Sequence, residues 1–400
     1  MRDQVTNCIK NYFSNPSNAI RSCFVYDLQN VDKSCEELKE HLAPVANLYY
    51  AMKANPHTKV LSYLTQKAAI SGVDVSSGGE LILASEKWSA DQLLFTGPGK
   101  SPAELELAVN SGIGLIIVES LTEAFRLNQV AQKRLRRQDV LLRINIAKEL
   151  GGANLLMSGF SSKFGIDESA ATNAAKVICQ LPNLRFRGIH CYAASGFLRA
   201  EDVLAQFAHV LRFAAQLRRT GVPFDTLDLG GGFGIDYTEK EGELDIGSVG
   251  KGLAELIKTH GLGDCKIILE LGRFVIGNAG VYCSEILDIK ISEGKKHLIV
   301  AGGINHQRRP CATDSNHKVS IIGMHWEKIW SEQESVRAEV VDIDGPLCLA
   351  PDKLAWDVLI DKAEIGDIVI VHRSGAYGAS MGATHFISHE PAPELFVPAI

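Results

Sequence analysis

No stretch of the 400 residues is apolar and uncharged for the ~20 residues that a bilayer-spanning helix needs. The opening segment, MRDQVTNCIKNYFSNPSN, has no charged start followed by an apolar run and a small-residue cleavage site. No secretory signal is read there, and the chain is expected in the cytoplasm. Basic charge is not in excess: 41 Lys and Arg face 47 Asp and Glu, a net charge of -6. Such a chain makes no field that would draw a phosphate backbone or an anionic membrane, so neither nucleic acid nor membrane is an expected partner. The nine cysteines are an odd number and contain no CxxC pair, which argues against a disulfide framework or a zinc site. No metal is expected, and most thiols read as small buried apolar groups. Repeats, low-complexity tracts and charge blocks are also missing.

What is present is a globular composition, 46% hydrophobic and 22% charged, enough to bury a large core or two. Eight short β-branched or aromatic runs stand out, at Leu48 to Met52, Gly72 to Val75, Leu93 to Phe95, Leu115 to Val118, Val140 to Ile144, Phe186 to Cys191, Thr226 to Leu229 and Ile267 to Leu269. Between most of them lie segments of helical period, such as Pro102 to Asn110, with Leu105, Ala108 and Val109 on one face, and Val203 to Leu217. Ser101 with Glu104 and Ser120 with Glu123 have capping-box spacing. Alternating strands and helices imply parallel pairing, and eight units in about 250 residues suit a closed (β/α)8 barrel. A doubly wound open sheet is the alternative. After Gly280 the pattern turns to strands without helices, at Val281 to Ile291, His297 to Val300, Val336 to Ile343 and Asp367 to His372. The expected division is therefore an N-terminal segment, 1–30, that adds to the β domain, a barrel over 31–278, and a C-terminal β domain over 279–400.

In such a barrel, function collects at the C-terminal ends of the strands. Lys53 ends the run Tyr49-Tyr50-Ala51-Met52-Lys53-Ala54-Asn55, where partial desolvation would suit an amine for imine chemistry; a lysine snorkelling from a strand end is the plainer reading. Asp228-Leu229-Gly230-Gly231-Gly232-Phe233-Gly234 follows the seventh strand, where barrels commonly hold a phosphate on glycine amides; alone it is equally a tight turn. Glu270-Leu271-Gly272-Arg273 closes the eighth. A carboxylate there could keep a pyridine nitrogen protonated, with Arg273 adding positive charge near a phosphate, or the two could be an ordinary strand-end ion pair. Two further clusters, Gly345-Pro346-Leu347-Cys348 with Asp352 and Gly375-Ala376-Tyr377-Gly378, lie in the β domain, where each could be only a turn.

The order of these features, lysine after strand one, glycine loop after strand seven, Glu-x-Gly-Arg after strand eight, then Gly-Pro-x-Cys and Gly-Ala-Tyr, resembles the fold-type III pyridoxal 5'-phosphate (PLP) decarboxylases. That family includes the ornithine, arginine and diaminopimelate decarboxylases, and the likeness runs from about Phe24 to Pro391. It implies an α/β fold, a PLP-binding TIM barrel with a C-terminal β domain like that of alanine racemase. It also implies that Lys53 bonds the cofactor, Glu270 pairs with the pyridine nitrogen, and Ser195, Gly231, Gly232, Gly272, Arg273 and Tyr377 surround the phosphate. Asp74, Ser77 and Glu80 match a further motif near the cofactor. Cys348 would supply the proton that replaces carbon dioxide, from the partner subunit of a head-to-tail homodimer, and Asp352 shares its loop. Racemases of the related barrel have arginine where Glu270 stands, so the carboxylate favours decarboxylation.

Two positions depart from the family pattern. Its His-x-Gly-Ser aligns with Tyr192-Ala193-Ala194-Ser195, so a phenol replaces the imidazole that stacks on the cofactor ring. The acidic residue that follows the cysteine in ornithine and diaminopimelate decarboxylases is here Leu349, which disfavours a free distal ammonium on the substrate. Arg308 and Arg309, in Asn305-His306-Gln307-Arg308-Arg309-Pro310, could meet substrate carboxylates or form a solvated loop. The chain is similar to the subgroup that serves carboxylate siderophores of the staphyloferrin B and achromobactin type, acting on diaminopropionate or diaminobutyrate, free or joined to citrate. A decarboxylase of ornithine, lysine or diaminopimelate, one acting on carrier-bound glutamyl groups, and an inactive regulatory relative are the other readings.

Overall fold

The computed structural model describes residues 1–146, 155–156, 162–324 and 333–399. The chain divides into two compact units, Ser34–Ile235 with Gly242–Val275, and Met1–Lys33 with Asp236–Glu241 and Ile276–Ile400.

The first unit is the barrel. Strands Asn47–Ala51, Ile70–Val75, Leu93–Phe95, Leu115–Val118, Gln138–Asn145, Leu184–His190, Thr226–Asp228 and Lys266–Leu271 each pair in parallel with the next. The eighth pairs with the first through Leu269↔Leu48 and Glu270↔Tyr49, which closes the sheet and excludes the open doubly wound alternative. Each of the eight apolar runs became one strand, because parallel strands covered on both faces need apolar residues facing both ways. Tyr49, Leu94, Leu115, Ile117, Leu141 and Ile268 pack as one buried cluster. Outside, helix Pro102–Ser111 starts at a full capping box of Ser101 and Glu104 and stops at left-handed Gly112 (φ 73°). At the next helix, Leu121–Lys133, Ser120 accepts the Glu123 amide, but Glu123 takes the amide of Glu119 rather than that of Ser120.

The second unit is built on strand Gly280–Ser292, which pairs antiparallel with Ser22–Asp27, with Lys295–Val300 and with Ile368–Val371. Strand Ser22–Asp27 also pairs in parallel with Glu394–Val397. Its side chains alternate. Phe24 and Tyr26 join Tyr282, Ile286, Leu298, Val341 and Val369 in the main core, with Phe24 and Tyr282 rings 4.9 Å apart. Cys23 and Val25 face the other way, onto Val5, Ile9 and Phe13 of helix Asp3–Ser14. That helix and strand Lys353–Glu364 were not anticipated from sequence. No helix among the described residues is long and apolar enough to cross a membrane, and the nine cysteines are free thiols.

Candidate active site

Register places the charged groups of the barrel mouth beside one another. Ala51 is opposite Asp74, and the chain turns through a 3-10 segment, Met52–Ala54, that carries Lys53. Lys53 Nζ is 3.0 Å from Asp74 Oδ2 and 5.8 Å from the Tyr192 ring centre. Thr96, just past the third strand, donates to Asp74 Oδ1 at 2.7 Å and lies 3.4 Å from Glu270 Oε1. Asp74 is fully buried; that burial and the nearby Glu270 charge, opposed by Lys53 and Thr96, push its carboxyl up to about 6. Burial also pushes Glu270 up, but charge on His190, Lys53 and Arg143 outweighs it and holds Glu270 below the usual carboxylate range. In Asp74-Val75-Ser76-Ser77-Gly78-Gly79-Glu80, Ser77 caps helix Gly78–Ser85 and Glu80 accepts the Ser76 amide at 2.7 Å.

The glycine loop lies against the ends of strands six and eight. A side chain on Gly231 would put its Cβ 2.0 Å from the Glu270 carbonyl oxygen, and Gly232 is left-handed (φ 86°), with a Cβ position 2.4 Å from the Ala194 carbonyl. Glycine is therefore required for the loop to pack this closely. Gly232 O accepts the amides of Gly196 and Phe197, which brings Ser195 beside it, and Arg273 points a guanidinium nitrogen 3.5 Å from Ser195 Oγ. A Cβ on Gly272 would meet that of Ala54 at 2.8 Å, so strand eight abuts the Lys53 turn. Lys53, Asp74, Tyr192, Ser195, Gly231, Gly232, Glu270, Gly272 and Arg273 thus gather in one mouth.

The remaining sequence candidates lie in the second unit. Cys348 is exposed and Leu349 beside it is 39% exposed. Asp352 is buried and accepts the amides of Ile304 and Leu347, each at 2.7 Å, which ties the Cys348 loop to the 302–307 turn. Arg308 is exposed, whereas Arg309 is buried, its guanidinium 3.3 Å over the Tyr237 ring centre and 2.9 Å from His317 Nε2. Tyr377 is left-handed (φ 57°) in a turn anchored by the Ser374 amide on Gly280 O.

Sequence reasoning gave no role to His190, Arg143, Glu119, Thr96 or Asp228. His190 Nε2 is 3.4 Å from Glu270 Oε1, and ligand atoms of His190, Asp228 and Glu270 all lie within 4.8 Å of one another. Arg143 pairs with Glu119 at 2.9 Å, and Glu119 also takes the Gly97 amide, which steadies Thr96. All five stand at or just past the C-terminal end of a barrel strand, so the rule used for Lys53 would have found them.

Residues 28–277 match the family model described as the pyridoxal binding domain of pyridoxal-dependent decarboxylases. The chain belongs to that family. Its relatives include the L-glutamyl-(BtrI acyl-carrier protein) decarboxylase of Niallia circulans, 32% identical over 92% of this chain and 87% of the relative. Another is the 2-((L-alanin-3-ylcarbamoyl)methyl)-2-hydroxybutanedioate decarboxylase of Staphylococcus aureus, 30% identical over 93% and 92%. Among solved structures, the diaminopimelate decarboxylase of Helicobacter pylori complexed with L-lysine superposes with a TM-score of 0.84, 26% identity and 94% and 91% coverage. The protein is a PLP-dependent amino-acid decarboxylase, a carboxy-lyase. The decarboxylase's barrel mouth fits that cofactor. It offers an amine, an ionised buried carboxylate and a glycine loop with no room for side chains, and His190 is fully buried with neither ring nitrogen in a hydrogen bond of ordinary geometry.

Proposed function

We propose that this decarboxylase acts on an L-amino acid of the diaminopropionate or diaminobutyrate type, or on its citryl conjugate, in carboxylate siderophore biosynthesis, releasing carbon dioxide and an amine. The observation that carries the reading is Leu349, an exposed apolar side chain next to Cys348. An uncharged residue there offers nothing to a free distal ammonium, and Arg308 is an exposed cation in the run that would meet carboxylates. The S. aureus relative is named for such a conjugate, an amide of diaminopropionate with citrate. A second reading, decarboxylation of a carrier-bound glutamyl group, is favoured by the N. circulans relative.

Bound PLP supplies an electron sink for the pair left when the α-carboxylate departs. Lys53 is the residue that holds it covalently. Tyr192 stacks on the ring, with Asp74 beside Lys53. Glu270, kept ionised, holds a proton at the ring nitrogen. Ser195, the amides of Gly231 and Gly232, Gly272 and Arg273 would hold the phosphate. Cys348 delivers a proton to the α-carbon from the partner subunit of a homodimer, and Asp352 orients its loop through the Leu347 amide.

Carbon dioxide release from the PLP-loaded protein tests this, with ornithine, lysine, diaminopimelate, diaminobutyrate, diaminopropionate, citryl-diaminopropionate and a carrier-bound glutamyl substrate. The highest kcat/KM is expected for the citryl conjugate or the short diamino acids. Preference for ornithine, lysine or diaminopimelate would overturn the reading of Leu349, and preference for the carrier-bound substrate would install the second reading.

A further inference from the structure

Behind Glu270 the barrel encloses two groups to which the proposed mechanism gives no part, His190 and Asp228, each 0% exposed. Asp228 ends strand seven; its Oδ1 accepts the Gly230 amide at 2.9 Å, and its Oδ2 has no hydrogen-bond partner among the described residues. His190 ends strand six, opposite Asp228 in register, with Nε2 3.4 Å from Glu270 Oε1. Two carboxyls this close and this deeply buried do not both ionise, because burial penalises each charge and the two like charges repel. One holds a proton, and the surroundings decide which. Glu270 has the His190 ring beside it, Nε2 at 3.4 Å, whereas Asp228 has a single amide on Oδ1 and, among the described residues, no partner for Oδ2. A neutral acid suits the Asp228 position, since its O–H can turn toward Glu270.

We propose that His190 and Asp228 are positioning residues for Glu270: His190, with Nε2 3.4 Å from Oε1, and Asp228, as a neutral acid behind it, confine the single negative charge of the trio to Glu270. Removing His190 lets the charge spread onto Asp228, away from the group that Glu270 must keep protonated. No bond is made or broken; only the seat of one proton is set.

The inference rests on the reading that Glu270 meets the ring nitrogen of bound PLP, and the test separates the two. Holoenzyme is prepared with PLP carrying 15N in the ring, and its nitrogen resonance is recorded for wild type, His190→Phe, His190→Gln and Asp228→Asn. Wild type is expected to show a protonated ring nitrogen. His190→Phe should shift the resonance toward the unprotonated position and lower kcat by about 10–100-fold, the usual cost of losing an outer partner of a catalytic group, with KM moved much less. His190→Gln, which restores an N–H donor, should recover the resonance. Asp228→Asn mimics the neutral acid and should keep the protonated signal. A protonated signal in His190→Phe, or its loss in Asp228→Asn, overturns the inference; if one variant does not fold, the other decides. An unprotonated wild-type nitrogen overturns the Glu270 assignment itself and this inference with it.

Discussion

The two units bury polar groups in opposite ways. The barrel mouth buries charge: Asp74, Glu270, Arg143, Glu119, Lys100 and Glu123 are all nearly inaccessible, with Lys100 Nζ 2.7 Å from Glu123 Oε1. The β unit buries more neutral groups, several of them in closed hydrogen-bond networks. His306 Nδ1 lies 3.0 Å from both Ser22 Oγ and Tyr282 OH, while Nε2 is 2.8 Å from Glu390 O, the pattern of a neutral imidazole. Burial holds its pKa below the ordinary histidine value. His317 likewise lies 2.7 Å from His372 O through Nδ1 and faces Arg309 through Nε2. Charge kept from water is costly and persists where chemistry needs a field; neutral networks serve to fix the shape of loops.

Breaking each kind of burial should sharpen that contrast. In the barrel, Lys100→Met leaves Glu123 buried beside no cation and should cost about 3–5 kcal/mol in denaturant unfolding. Adding Glu123→Gln should restore part of that loss, because the pair rather than either residue is what the fold tolerates. In the β unit, Phe24→Ala should cost a similar ~3–5 kcal/mol through a cavity beside Tyr282, with no polar substitution able to rescue it. Asp352→Ala strands the amides of Ile304 and Leu347 and should cost roughly 1–3 kcal/mol for each buried group left unsatisfied, with faster proteolysis of the 345–352 loop as the readout. The smallest effect is on pH response, and its sign differs between the units. Burial and Lys318 hold His372 down to about 4 from 6.5, so its share of stability is full above about 6.5 and is lost as pH falls toward 4. Asp74, raised to about 6 from 3.8, contributes fully below about 3.8 and loses its share as pH rises through 6. Between pH 7 and 4.5, hydrogen exchange should therefore show weaker protection in Ile368–Val371 and stronger protection in Ile70–Val75.

The barrel was legible because each strand is an apolar run bounded by turn residues, a one-dimensional signal. The order of the mouth residues was legible for the same reason. Helix Asp3–Ser14 was not: its apolar positions Val5, Ile9 and Phe13 are sparse, and Arg2 at its start makes no side-chain cap. Strand Lys353–Glu364 was missed because LAWDVLIDKAE suits a helical period nearly as well as alternation, and pairing with Ser335–Asp344 decides between them. Of the mouth residues, His190 sat inside a run read as strand, and only closure of the barrel brings it to Glu270 from a distant part of the chain. The environment of Arg309 was equally hidden, since its contact with Tyr237 joins positions far apart in sequence.

Strand Ser22–Asp27 has a timing consequence for synthesis on the ribosome. One of its neighbours, Glu394–Val397, is made about 370 residues later (394 − 24), and Gly280–Ser292 about 250 residues later. At about 5–20 residues per second, Phe24 and Tyr26 wait on the order of tens of seconds for the sheet that covers them, while the barrel's eight strands emerge in order and can pair as they appear. The newborn chain thus carries a sticky, unpaired strand through that interval, and that strand is where a chaperone would be needed most.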